Sequence, residues 1–131
     1  MASPGSISND QADVIRVLHD YYSAFSTLNI EAVLPYFHES SMLIGPQAVF
    51  AATTHTMLAT AVSPAIEGFR ARGFGRTELS VRDFKSLSAT VALVGGVARR
   101  YKLDGQELDQ ANVTYLLHKA DSGWKIAVLI I

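Results

Sequence analysis

An α+β domain, with N-terminal helices packed on one face of a curved, mainly antiparallel β-sheet, is what three observations predict. Apolar residues recur at helical spacing through the first half of the chain. From Arg76 onward the period changes to that of strands, and two short turns, Asp104-Gly105 and Asp121-Ser122-Gly123, join the later runs into hairpins. Helices first and antiparallel strands last segregate the two kinds of element, which places the helices together on one side of a sheet.

The elements follow in order. Ser8-Asn9-Asp10-Gln11 has the Ser-x-x-Gln form of a capping box. Behind it Val14, Leu18, Tyr21 and Phe25, widened by Ile15 and Tyr22, form the apolar stripe of one helix of about five turns. Asn29 is placed to cap a second, short helix through Ile30, Val33 and Leu34, ended or kinked by Pro35. Ser41-Met42-Leu43-Ile44 reads as a first strand, stopped by Gly45-Pro46. A third helical stretch lies between Thr53 and Arg72, with an interruption at Ser63-Pro64, where the pair can restart a helix as cap and first residue. Gly73-Phe74-Gly75 stops it. Strands are then expected over Thr77 to Leu87, Thr90 to Leu103, Glu107 to Lys119 and Trp124 to Ile131.

Composition bounds the rest. A chain of 131 residues makes one domain, expected over residues 9–131 behind a flexible tail of residues 1–8, and it buries about two thirds of the surface its unfolded form exposes. With no cysteine, thiolate catalysis, Cys-containing zinc sites and disulfides are all excluded; this suits a reducing, cytoplasmic setting. The first residues show neither the basic nor the apolar region of a signal peptide, and no run approaches the length of a membrane span. A net charge of −1 gives no reason to expect nucleic acid or a membrane as partner. The charge is nevertheless uneven: residues 1–66 hold one base and five acids, residues 67–131 ten bases and seven acids. Either the two halves pack on each other or meet across a dimer, or a basic patch receives an anion.

Tyr21-Tyr22-Ser23-Ala24-Phe25, Asn29-Ile30-Glu31-Ala32-Val33 leading to Phe37, the strand ending at Gly45-Pro46, and Thr114-Tyr115-Leu116-Leu117 with Gly123-Trp124-Lys125-Ile126 together resemble the nuclear transport factor 2-like (NTF2-like) superfamily, closest to its bacterial SnoaL-like and ketosteroid isomerase-like domains. The resemblance runs from about Asp10 to the last residue and implies a cone-shaped fold. That fold carries isomerases, dehydratases, cyclases, epoxide hydrolases and non-catalytic proteins, so it does not imply one activity. Ketosteroid isomerases place a tyrosine on the first helix, a base aspartate just before a proline at the end of the first strand, and a second aspartate on the penultimate strand. Matched on Phe37 and Pro46, these positions hold Tyr21, Gly45 and Thr114. Glycine offers no base, so the isomerase mechanism is not expected. The arginine and aspartate, two residues apart, of limonene-type epoxide hydrolases become Arg99 and Tyr101, and a tyrosine cannot orient water as a carboxylate does. His19, His38, His55 and His118 are scattered, with no metal-ligand spacing; neither metal nor cofactor is expected.

What the resemblance leaves is a pocket. Strand alternation puts Gly95, Val97, Arg99 and Tyr101 on one face of their strand and Asn112, Thr114 and Leu116 on one face of the next; the resemblance turns these faces into the cavity. Ile126, Val128 and Ile130 are expected to close the same wall, with Tyr21 and Met57 approaching from the helices. The expected ligand contacts are thus Tyr21, Met57, Val97, Arg99, Tyr101, Asn112, Thr114 and Val128. Arg99, the charged group among them, needs either an internal carboxylate (Asp109, Glu31 or Glu39) or an anionic ligand. The opposite face, with Ala92, Val94, Gly96, Ala98, Ala111, Val113, Tyr115 and Leu117, is too apolar for water and predicts a homodimer formed sheet to sheet. Two functions remain open: a non-catalytic dimeric domain that binds a small hydrophobic molecule, with or without a carboxylate, or serves only as an assembly module, and an enzyme acting on a hydrophobic cyclic substrate with electrophilic assistance from Tyr21, Arg99 and Asn112 rather than a base.

Overall fold

The segregation of helices and strands is realised by three α-helices, a short 3₁₀ turn and one six-stranded sheet in the computed structural model, which describes residues 4–131, with side chains from residue 10 onward. Helix α1 (Pro4–Phe25) buries Val14, Leu18, Tyr21 and Tyr22, the stripe read from the sequence. It begins ahead of Ser8-Asn9-Asp10-Gln11, so the expected capping box falls inside the helix; the Ser8 side chain and residues 1–3 of the expected tail lie outside the described residues. Asn29 caps α2 (Ile30–Val33) as expected, its Oδ1 accepting from the Glu31 N–H at 3.1 Å. A 3₁₀ turn (Leu34–Tyr36) carrying Pro35 leads into strand β1 (Phe37–Ile44).

Two local expectations are corrected. A second strand, β2 (Val49–Ala52), follows the Gly45-Pro46 turn and pairs with β1; at four residues it is too short to show a period. Helix α3 (His55–Ala71), capped by Thr54, continues through Pro64 without interruption. Leu58 and Ile66, on either side of that proline, are both buried. Tertiary packing on both sides thus holds the helix together where propensity alone would break it.

Strands β3 (Phe74–Ser88), β4 (Val91–Lys102), β5 (Glu107–Ala120) and β6 (Gly123–Ile130) complete the sheet in the order β2-β1-β6-β5-β4-β3. All neighbours run antiparallel except β1 and β6. Gly105 and Gly123 take the positive φ values that their hairpin turns require. The sheet is bent by register shifts. One falls between Val81 and Asp83 of β3, beside Gly96 of β4, where a Cβ would collide with the Ser80 carbonyl oxygen. A bulge and a glycine at the same point curve a sheet toward one face. The helices fill that concave face.

The concave face is the reverse of the one expected. Ala92, Val94 and Ala98 of β4 and Val113, Tyr115 and Leu117 of β5 are buried under the helices, not on an outer surface. Val97, Arg99, Tyr101, Asn112 and Thr114 occupy the convex side, where none of them is buried. Both faces of β4 and β5 are rich in apolar residues, so alternation sorts residues into two sets without saying which set is inside. The set that is inside includes the small residues Ala92, Gly96 and Ala98, all buried. On β6 the expected wall of Ile126, Val128 and Ile130 is split. Register moves from Leu117↔Ile126 to Leu116↔Val128, leaving Ala127 as the extra residue of a bulge. Ile126 and Leu129 are consequently buried, while Val128 and Ile130 turn outward.

Candidate functional site

Between the helices and the concave sheet lies a cavity of about 240 Å³. Its walls are mostly aliphatic and aromatic: Val33, Leu58 and Val62 on the helix side, Phe37, Leu43, Val113 and Leu129 on the sheet side. Three tyrosines supply polarity. Tyr21 and Tyr22 come from α1, one residue apart at the helix edge facing the sheet, and Tyr115 comes from β5. The Tyr21 ring stands 4.9 Å from Tyr22, 5.5 Å from Phe37 and 6.1 Å from Tyr115, each in a tilted or edge-on arrangement. The hydroxyls of Tyr22 and Tyr115 are hydrogen-bonded to each other.

Burial raises all three phenols. It lifts Tyr22 to about 12, with the hydrogen bond to Tyr115 and the charge of Arg100 working the other way. For Tyr21 and Tyr115 the same desolvation, reinforced by the neighbouring phenols, pushes ionisation well above the ordinary tyrosine range. The cluster is therefore a set of neutral hydroxyls at any physiological pH. A hydroxyl pair joined by one hydrogen bond uses one of its two protons, so the pair retains a donor for a third oxygen.

Among the described residues, Arg100 has the one charged side chain in the cavity lining. Its side chain is 17% exposed against 47% for Arg99, which settles which of the two adjacent arginines points inward. Nη1 of Arg100 donates to Asp109 Oδ1 at 2.9 Å, and Nη2 of Arg72, at the end of α3, reaches Asp109 Oδ2 at 2.9 Å. Both guanidiniums flank the Phe69 ring, at 5.0 Å for Arg100 and 6.0 Å for Arg72. Burial alone would raise the Asp109 carboxyl. The two arginines outweigh it and hold the group below the usual aspartate range.

Of the residues expected at the site, Tyr21 lines the cavity. Met57 is 40% exposed on the first turn of α3, with its sulfur accepting from the Thr53 hydroxyl. On the convex side, Arg99 bonds Gln110 and approaches Glu107, Tyr101 stacks under Arg76 at 4.2 Å, and Asn112 accepts from Arg82 at 2.8 Å. Val97, Thr114 and Val128 share that side. Gly45 does line the cavity, at the end of β1. Thr114, matched to the second carboxyl position, faces away; the inward neighbours are Val113 and Tyr115, and neither is a carboxylate. Tyr115 and Arg100 were missed through the inversion of the sheet faces, and Tyr22, read on the stripe of the first helix, was not carried to the site. The signal that finds them is the helix: Tyr21 and Tyr22 can pack only on the face that α1 covers.

The scattered histidines are partly gathered by the fold. His38 of β1 and His118 of β5 meet on the convex side across β6, with His118 Nδ1 and His38 Nε2 3.1 Å apart. Desolvation, ahead of the nearby charges of His118 and Lys125, lowers the His38 pKa. Among the described residues no cluster of three or more His, Asp or Glu side chains is placed to hold a metal ion.

Residues 10–131 match the family model described as NTF2-like protein (DUF6841), and the chain belongs to that family. Solved structures agree on the fold. A ketosteroid isomerase-like protein from Erwinia carotovora atroseptica superposes with a TM-score of 0.69 at 22% identity, covering 91% of this chain and 92% of its own. An NTF-2 like protein of unknown function from Shewanella oneidensis gives 0.68 at 22% identity, covering 92% and 96%. An NTF2-like protein with a cystatin-like fold from Novosphingobium aromaticivorans gives 0.72 at 10% identity, covering 95% and 81%. A search of curated proteins finds no match to the chain.

Proposed function

We propose that this chain is a homodimeric binding domain whose cavity takes a small, largely apolar molecule bearing a hydrogen-bond-accepting oxygen. One observation carries the reading: the neutral hydroxyls of Tyr21, Tyr22 and Tyr115 converge in an otherwise apolar cavity in which the position expected of a base is Gly45. Donors without a base bind and polarise an oxygen but abstract no proton. The size is that of about eight waters' share of liquid volume, which suits a substituted ring or a short branched chain. The dimer is formed by the convex sheet face, and a cytoplasmic setting, which the Cys-free composition permits, belongs to the same proposal.

A second reading, catalysis by electrophilic assistance alone, is favoured by the Tyr22–Tyr115 pair beside Arg100, since such donors also stabilise an oxyanion. Native mass spectrometry of the purified protein tests the first reading: it is expected to show one retained small molecule per chain, lost in a Tyr22→Phe, Tyr115→Phe double variant. The same preparation is expected to leave a β,γ-unsaturated ketosteroid unshifted above the buffer rate. Turnover abolished by removing one carboxylate would overturn the base-free reading.

A further inference from the structure

We infer that the ligand of this cavity is an anion, a small hydrophobic carboxylate held at Arg100. The inference rests on the binding reading above and narrows it to one chemical class. Three observations converge on it. Among the described residues the lining contains no acidic side chain and no second basic one, so Arg100 supplies its side-chain charge. Arg100 is not neutralised in isolation: two guanidiniums share one carboxylate, each taking a different oxygen of Asp109, which leaves one positive charge over. The remaining polar side chains of the lining, those of Thr77 and the three tyrosines, are neutral hydroxyls.

The arrangement divides labour between the two arginines. Arg72 is about half exposed, so water screens its charge, while Arg100 is mostly buried and keeps a guanidinium edge toward the cavity. The hydrogen bond to Asp109 and the Phe69 ring, which lines the cavity beside it, hold that guanidinium in place. A pre-positioned guanidinium holds a carboxylate by parallel hydrogen bonds at small entropic cost. The apolar body of the ligand then lies along Phe37, Leu58 and Val113, and the second carboxylate oxygen meets the spare donor of the tyrosine pair. A cation or a doubly basic ligand is excluded by the same charge.

Phenylacetate and phenylacetamide separate the possibilities, because they share a shape and differ in charge. Titration calorimetry at neutral pH and low salt is expected to give phenylacetate an affinity on the order of tenfold higher than the amide. Arg100→Met should remove that preference while leaving the amide within about twofold of its wild-type affinity. Arg99→Met, on the convex side, should keep the preference intact. Wild-type affinities that are equal would show that Asp109 satisfies Arg100 completely, and the carboxylate inference falls while the pocket reading stands. Binding of neither probe at millimolar concentration would overturn the pocket reading as well. The wild-type comparison needs no variant, so a misfolded Arg100→Met leaves the question decidable.

Discussion

A phenol buried beside two others is tolerated only where its hydroxyl finds a partner, and Tyr115 depends on Tyr22 for its own. Tyr115→Phe is therefore expected to destabilise the fold by about 1–2 kcal/mol, the cost of stranding the Tyr22 hydroxyl, read as a lower urea midpoint with unchanged slope. An unchanged midpoint would mean that Tyr22 finds another partner. The cluster also sets the alkaline limit of the protein. In the unfolded chain a tyrosine ionises near 10, whereas Tyr22 holds its proton to about 12. Above pH 10 the unfolded state thus binds fewer protons than the folded one, and stability falls as pH rises toward 12. The phenolate absorbance of Tyr21, Tyr22 and Tyr115 should accordingly appear together with unfolding rather than before it, and less steeply in Tyr115→Phe. At this scale the sequence was informative about Tyr21, which sits on an unambiguous helical stripe, and uninformative about Arg99 and Arg100. Two adjacent arginines on a strand with two apolar faces leave nothing local to rank them.

Elements were legible where their period is long and their ends are marked. The β4–β5 and β5–β6 turns fall where Asp104-Gly105 and Asp121-Ser122-Gly123 placed them, because positive φ demands glycine there. Bulges are invisible to the same reasoning. Ala127 on β6 shifts every later side chain by one face, so the run Ile126, Val128, Ile130 reads as one wall and is in fact two. Gly96 shows what such irregularities accomplish. Its missing side chain lets the Ser80 carbonyl of β3 lie close against β4 beside the register shift. Gly96→Ala forces a Cβ against the Ser80 carbonyl and is expected to cost about 1–3 kcal/mol, comparable to overpacking a core. Gly68→Ala, in α3 with open space around it, is the matched control and should be neutral or mildly stabilising. Similar losses from both variants would show that flexibility, not the close approach at Gly96, is what matters.

At the scale of the whole molecule, the inverted faces move the expected dimer surface without removing the reason for it. Met42, Val128, Leu116 and Leu93 lie in one register row across β1, β6, β5 and β4, and Ile44, Ile130, Thr114 and Gly95 in the next. None of these residues is fully buried, and Ile130 is 38% exposed. A largely apolar convex surface four strands wide is costly in water, and a second copy of the same sheet can cover it in a two-fold arrangement. Charged groups, including Arg76, Glu78 and Arg99, stand on the adjoining β3–β4 region and would form the rim. Two substitutions, three residues apart in sequence and on opposite faces, separate this arrangement from the one the sequence suggested. Leu116→Glu should convert a dimer into a folded monomer, because its charge enters only the interface. Val113→Glu should instead unfold the chain, since Val113 is buried in an apolar stretch of the cavity wall and a carboxylate there loses its water, at a cost of about 3 kcal/mol or more. Light scattering with circular dichroism reads both. A wild-type mass near the 14.2 kDa of one chain would remove the dimer, and a folded, monomeric Val113→Glu beside an unchanged Leu116→Glu dimer would restore the original assignment of faces.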